Sequence, residues 1–146
     1  MRVEKIFLAS DHGGFEAKEF AKKVLSELGF EIVDLGTNST ESVDYPEFGK
    51  KLAAEVAKSP NFYGVLACGT GIGISIAANR NPKIRCALCH NATEAALSRE
   101  HNDANVVAFG GRILGKALIE DILRVFFDTE FAGGRHARRV EKLGEI

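Results

Sequence analysis

The sequence predicts an α/β fold, a three-layer α/β/α Rossmann-like sandwich around a five-stranded parallel sheet. Apolar runs of strand length alternate with helix-period segments along the whole chain, the pattern of a parallel sheet covered by helices on both faces. A length of 146 residues suits one domain with a single substantial core. Glycine-rich turns follow the apolar runs, most clearly at Gly69, Gly71 and Gly73, where a strand would pass tightly into a helix.

Taken in order, Lys5–Ser10 is the first predicted strand, and Phe15–Leu28 is a helix closed by Gly29 in the C′ position. Glu31–Leu35 is the second strand, and a helix opens at Pro46 and runs to Lys58. Tyr63–Cys68, with Val65, Leu66 and Ala67 at its centre, is a buried third strand leading into a short helix over Ile72–Asn79. Arg85–Cys89 and Asn105–Phe109 complete the sheet, with helices at Ala92–His101 and Lys116–Asp128. A last segment, GGRHARRVEKLGE at 133–145, has helical periodicity, strong basic character and few apolar residues, which suggests packing on another subunit.

Nineteen Lys and Arg against twenty Asp and Glu leave a net charge of −1, which is not the footprint of a nucleic-acid binder. The opening apolar stretch, Ile6–Ala9, is too short for a signal or membrane segment, so a soluble cytoplasmic protein with a small-molecule partner is expected. Three cysteines in such a chain are expected to be reduced thiols.

In open sheets of this kind, ligands sit outside the carboxyl ends of the strands. Asp11-His12-Gly13-Gly14, Gly36-Thr37, Cys68-Gly69-Thr70-Gly71, His90-Asn91 and Gly110-Gly111-Arg112 all fall there. Cys68 is the most telling member, because backbone N–H groups of the glycine turn converge on an anion site beside its thiol. A base, a nucleophile and a small buried structural thiol all fit that position. Asp11 fits a helix cap as well as a site carboxylate, and His101 fits a residue at a helix end. Arg135 and Arg139, four apart, share a helix face on which two guanidinium groups can hold one phosphate.

Cys86-Ala-Leu-Cys89-His90 matches a haem-attachment spacing, but an i, i+3 pair in a strand points to opposite faces and cannot readily bridge. His12, His90, His101 and His136 show no spacing that gathers a metal set. The glycine turn carries neither the phosphate-loop lysine nor the G-x-G-x-x-G of a dinucleotide site. A non-catalytic phosphate or nucleotide binder and a cysteine hydrolase are both allowed by these residues.

Five motifs, in this order, resemble the type B ribose-5-phosphate isomerases, a family that includes allose-6-phosphate and galactose-6-phosphate isomerase subunits. They are SDHGG at 10–14, DYP at 44–46, CGTGIGISIAANR at 68–80, RCALCHNATEAALSREHNDANVVAFGGR at 85–112 and GGRHARRV at 133–140. The resemblance implies interconversion of D-ribose 5-phosphate and D-ribulose 5-phosphate through an enediolate, with no metal or other cofactor. It implies Cys68 as the proton-shuttling base. Some family members use a glutamate further along the loop, but that position here corresponds to Ser75 and no carboxylate occurs from 69 to 79. It further implies His101 as the ring-opening group and Asp11 near the sugar hydroxyls. Asn102 and the backbone of Gly69, Gly71, Ile72 and Gly73 would hold the enediolate, with Thr70 adding a hydroxyl. His12, Arg112, Arg135 and Arg139 would meet the phosphate and Tyr45 would line the pocket. Family members are dimers or tetramers with sites shared between subunits, and a homodimer is expected here.

Overall fold

Strands of this chain bury both faces, so their sequences read as unbroken apolar runs, and the two faces separate cleanly by alternate residues. Ile6, Leu8, Val65, Ala67, Val107 and Phe109 pack in one core cluster, while Phe7, Ala9, Leu66, Cys68, Val106 and Ala108 pack in the other. A computed structural model describes residues 1–146 and gives five strands: β1 Lys5–Ser10, β2 Ile32–Asp34, β3 Phe62–Cys68, β4 Cys86–Leu88 and β5 Val106–Gly110. All pair in parallel, in the order β2-β1-β3-β5-β4. Six helices follow them: α1 Phe15–Glu27, α2 Tyr45–Val56, α3 Ile72–Ala78, α4 Ala92–Asn102, α5 Lys116–Phe127 and α6 Arg135–Leu143.

Helices α1, α4 and α5 contribute to the first core cluster, and α2 and α3 to the second. This is the α/β/α arrangement expected from the sequence, with element ends within two residues or so of those read there. Gly29 has φ +87, a left-handed C′ position just beyond the last turn of α1. None of the helices is long and apolar enough to cross a membrane.

The strand order places the site. The chain leaves β1 towards β2 on one side and returns to β3 on the other, so the crevice between β1 and β3 is a switch point. β4 skips a place and β5 then fills the gap beside β3. The ends of β1, β3 and β5 are therefore neighbours, and the three glycine turns that leave them meet.

Two features hold the sheet's flanks. On the β2 side, Lys18 is 1% exposed and donates to both oxygens of Asp34 at 2.8 Å, joined by Lys22 at 2.8 Å and the Gly36 N–H at 2.9 Å. Burial alone pushes the Asp34 carboxyl up, but these hydrogen bonds outweigh it and hold the group below the usual 3.8. On the β4 side, Arg85 and Cys89 face β5, which turns the main chain of Cys86 to the open edge. There the Asn79 side-chain amide accepts from the Cys86 N–H at 2.7 Å and donates to its carbonyl at 2.9 Å.

Candidate active site

The turns after β1 and β3 touch main chain to main chain. A Cβ on Gly14 would lie 2.3 Å from the carbonyl carbon of Ala67, and one on Gly13 would lie 3.0 Å from the Gly69 nitrogen, so this packing excludes side chains. Asp11, 7% exposed, caps the short 3-10 turn His12–Gly14 by accepting from the Gly14 N–H at 3.0 Å. The capping reading of Asp11 is thus satisfied, and one face of the same carboxylate remains at the crevice. His12 accepts the Val43 N–H through Nδ1 at 3.2 Å. A nitrogen that accepts carries no proton, so the neutral ring carries its hydrogen on Nε2.

The β3 turn fixes the thiol. Gly71 stands at φ +79, a left-handed conformation open to glycine, and from there its N–H donates to Cys68 Sγ at 3.1 Å. Cys68 itself is 5% exposed. Thr70 Oγ1 accepts the Ile72 N–H at 3.2 Å. Gly73 leaves room for Tyr45, whose ring carbon would lie 2.5 Å from any Cβ placed there. From the β5 turn, the Arg112 N–H donates to the Gly69 carbonyl at 3.0 Å, and the Arg112 side chain reaches within 3.4 Å of where a Gly69 Cβ would be. One chain thus gathers Asp11, His12, Tyr45, Cys68, Thr70 and Arg112 around the glycine turn.

It does not gather the rest. Helix α4 starts beyond the carboxyl end of β4 and ends before the amino end of β5, so His101 and Asn102 lie at the opposite edge of the sheet from Cys68. The five residues of β5 alone span roughly 17 Å. At that far edge His101, Asn102, His136 and Arg139 line a cleft of about 270 Å³ with Val140 and Leu143. The rings of His101 and His136 stack, with centroids 4.4 Å apart and planes 15° from parallel. Partial burial, followed by the positive charges of His101, Arg135 and Arg139, holds His136 below the usual 6.5. The sequence placed His136 in the basic segment without a role. Its stacking on His101 depends on how α6 folds back on α4, which no local pattern encodes. Arg135 begins α6 and is exposed, as is Arg139.

Other residues at the strand ends are occupied locally. Asn91 caps α4 by accepting the Glu94 N–H at 2.8 Å, while Glu94 Oε1 accepts the N–H of His90, the residue before the cap, at 2.7 Å. Cys86 and Cys89 pack in opposite core clusters and are free thiols. Burial pushes both thiols up, Cys89 to about 12. No three His, Cys, Asp or Glu side chains group as a metal set would require.

The sequence profile of the Ribose/Galactose Isomerase family matches residues 6–143. Ribose-5-phosphate isomerase B of Escherichia coli is 43% identical over 144 residues, covering 99% of this chain and 97% of that protein. The structure of Clostridium thermocellum ribose-5-phosphate isomerase B superposes with a TM-score of 0.92 at 51% identity, over 97% of this chain and 95% of that one. That of Mycoplasma genitalium ribose-5-phosphate isomerase B, with bound ribulose-5-phosphate, superposes with a TM-score of 0.93 at 37% identity, over 98% and 95%. A match that spans both core clusters, all five strands and the three converging turns leaves one conclusion: this chain belongs to the ribose/galactose isomerase family.

Proposed function

We propose that the protein interconverts D-ribose 5-phosphate and D-ribulose 5-phosphate through an enediolate, with Cys68 as the base. The observation that carries this reading is the Cys68 thiol held by the Gly71 N–H at 3.1 Å, in a turn without a carboxylate from 69 to 79. In the open-chain aldose, the Cys68 thiolate takes the proton from C2. The C–H electrons form the C1–C2 double bond and the carbonyl electrons move to O1. The thiol then returns its proton to C1 while the proton of the C2 hydroxyl passes to the O1 oxyanion, leaving a C1 hydroxyl and the C2 ketone. The oxyanions that develop are met by the N–H groups of Gly69 and Gly73, and by those of Gly71 and Ile72 as substrate takes over the positions that Cys68 Sγ and Thr70 Oγ1 occupy on them, with Thr70 beside them. Asp11 orients sugar hydroxyls, Tyr45 lines the wall, and His12 and Arg112 meet the phosphate.

His101 opens the furanose ring, Asn102 supports the enediolate, and Arg135 and Arg139 complete the phosphate clamp. Their distance from Cys68 within one chain supports a homodimer in which α4 and α6 of one subunit complete the crevice of the other. A six-carbon sugar phosphate is the alternative substrate, and initial rates on ribose, allose and galactose phosphates in parallel decide between them.

Subunit mixing tests the shared site. Cys68→Ala and His101→Asn homodimers are expected to be inactive on ribose 5-phosphate. Unfolding and refolding them together gives mixed dimers with one doubly altered and one intact site. About a quarter of all sites should then be restored. No recovery in a mixture shown by mass spectrometry to contain heterodimers would place both residues in one subunit's site.

A further inference from the structure

Helix α4 carries a charge that its solvent face does not explain. Arg99 is 1% exposed, and its guanidinium carbon lies 5.5 Å from the Tyr63 ring and 5.8 Å from that of Phe126. A permanent charge in such surroundings is tolerated only when its donors are satisfied, and an apolar side chain would fill the space at lower cost. The donors here are aimed with purpose. Nη1 donates to Asp103 Oδ1 at 2.9 Å and to the Ala104 carbonyl at 2.6 Å, and Nε donates to the Thr129 carbonyl at 3.0 Å.

Those acceptors belong to two separate pieces of chain. Asp103 and Ala104 form the turn that ends α4, directly after His101 and Asn102, and Asp103 stands at φ +46, a strained conformation for a residue with a side chain. Arg85 secures the same turn, donating from Nε to the Asp103 carbonyl at 2.7 Å. Thr129 opens the strap that leads to α6, and the Ala132 N–H donates to the Glu100 carbonyl at 3.1 Å. One rigid fork therefore joins the helix end bearing His101 to the strap that sets where His136 and Arg139 lie.

We propose that Arg99 is a positioning residue: its fork fixes the α4 terminus against the α6 strap, so that His101, His136 and Arg139 present one surface. The inference rests on the function proposed above for what that surface does, but its geometry can be tested apart from activity. Lysine keeps the charge but has no planar fork with which to join both pieces.

The experiment compares full-length wild type with Arg99→Lys, Arg99→Met and Asp103→Asn by NMR and by steady-state kinetics on ribose 5-phosphate. In wild type, the stacked His101 and His136 imidazole protons resonate away from those of exposed His90. In folded Arg99 variants they should move towards the His90 positions while Leu52 and Ala53 signals on the other face stay in place. kcat should fall by about 10- to 100-fold, with KM rising because Arg139 is displaced as well. Asp103→Asn should shift the same resonances by a smaller amount, and it decides the matter if neither Arg99 variant folds. Wild-type imidazole resonances and kinetics in a folded Arg99→Lys, or in Asp103→Asn when the Arg99 variants do not fold, would overturn the proposal. If the wild type does not isomerise ribose 5-phosphate, the functional reading falls and the resonances alone decide the positioning role.

Discussion

At the carboxyl end of the sheet, Cys68 and Asp11 are almost wholly buried where strands pass into turns and main chain presses on main chain; at the amino end, His101 and Asn102 are exposed at the end of α4 and Arg139 is exposed within α6. The first set is shaped within one chain, down to the hydrogen bond that seats the sulfur. The second faces outward and is organised by the contact of α4 with α6 and by the hydrogen bonds of Arg99 and Arg85 that hold the turn after α4. The two groups of residues are thus fixed by different means: close main-chain packing at one end of the sheet, side-chain contacts between helices at the other.

The sharpest way to break that division is Cys68→Ala. It should lower kcat for ribose 5-phosphate by about 10³-fold or more, and substrate binding measured by calorimetry should persist. A wild-type rate in the purified variant would remove Cys68 as the base. His101→Asn is expected to cost about 10²-fold on the closed-ring sugar and far less on an open-chain analogue. Equal losses on both would take ring opening away from the exposed end.

The smallest effect concerns stability rather than chemistry. Asp34→Asn leaves the Lys18 ammonium, 1% exposed, with only the more distant Glu19 carboxylate at 3.7 Å as counter-charge and should destabilise the fold by about 3 kcal/mol at neutral pH, read from denaturant unfolding. Because the folded carboxyl lies below 3.8, its contribution is present above the unfolded value and is lost as pH falls through the folded one. Wild-type Tm should therefore drop more steeply below about pH 4 than that of Asp34→Asn. Parallel curves would show that the ion cluster does not stabilise the carboxyl end.

Much of this was readable before any coordinates. The layers, the strands and the turns that bear Cys68 and Asp11 follow from local signals: unbroken apolar runs, the αL glycine after α1, and glycines where backbone must approach backbone. What stayed hidden is non-local. That β5 enters between β3 and β4 depends on crossover packing, which no local spacing encodes. Nothing local singles out Arg99, since its acceptors at Ala104 and Thr129 are main-chain carbonyls with no sequence identity. The segment at 133–145 shows a basic helix, but not the stacking of its His136 on His101.

The Asn79 amide that engages both main-chain groups of Cys86 has a consequence beyond local satisfaction. β4 is an outer strand of the sheet, and bare outer strands recruit other strands into aggregates. A side chain imitating one residue of a neighbouring strand occupies that position in advance. It acts as a stopper on that edge, with the main-chain groups of Cys86 already engaged and closed to a sixth strand.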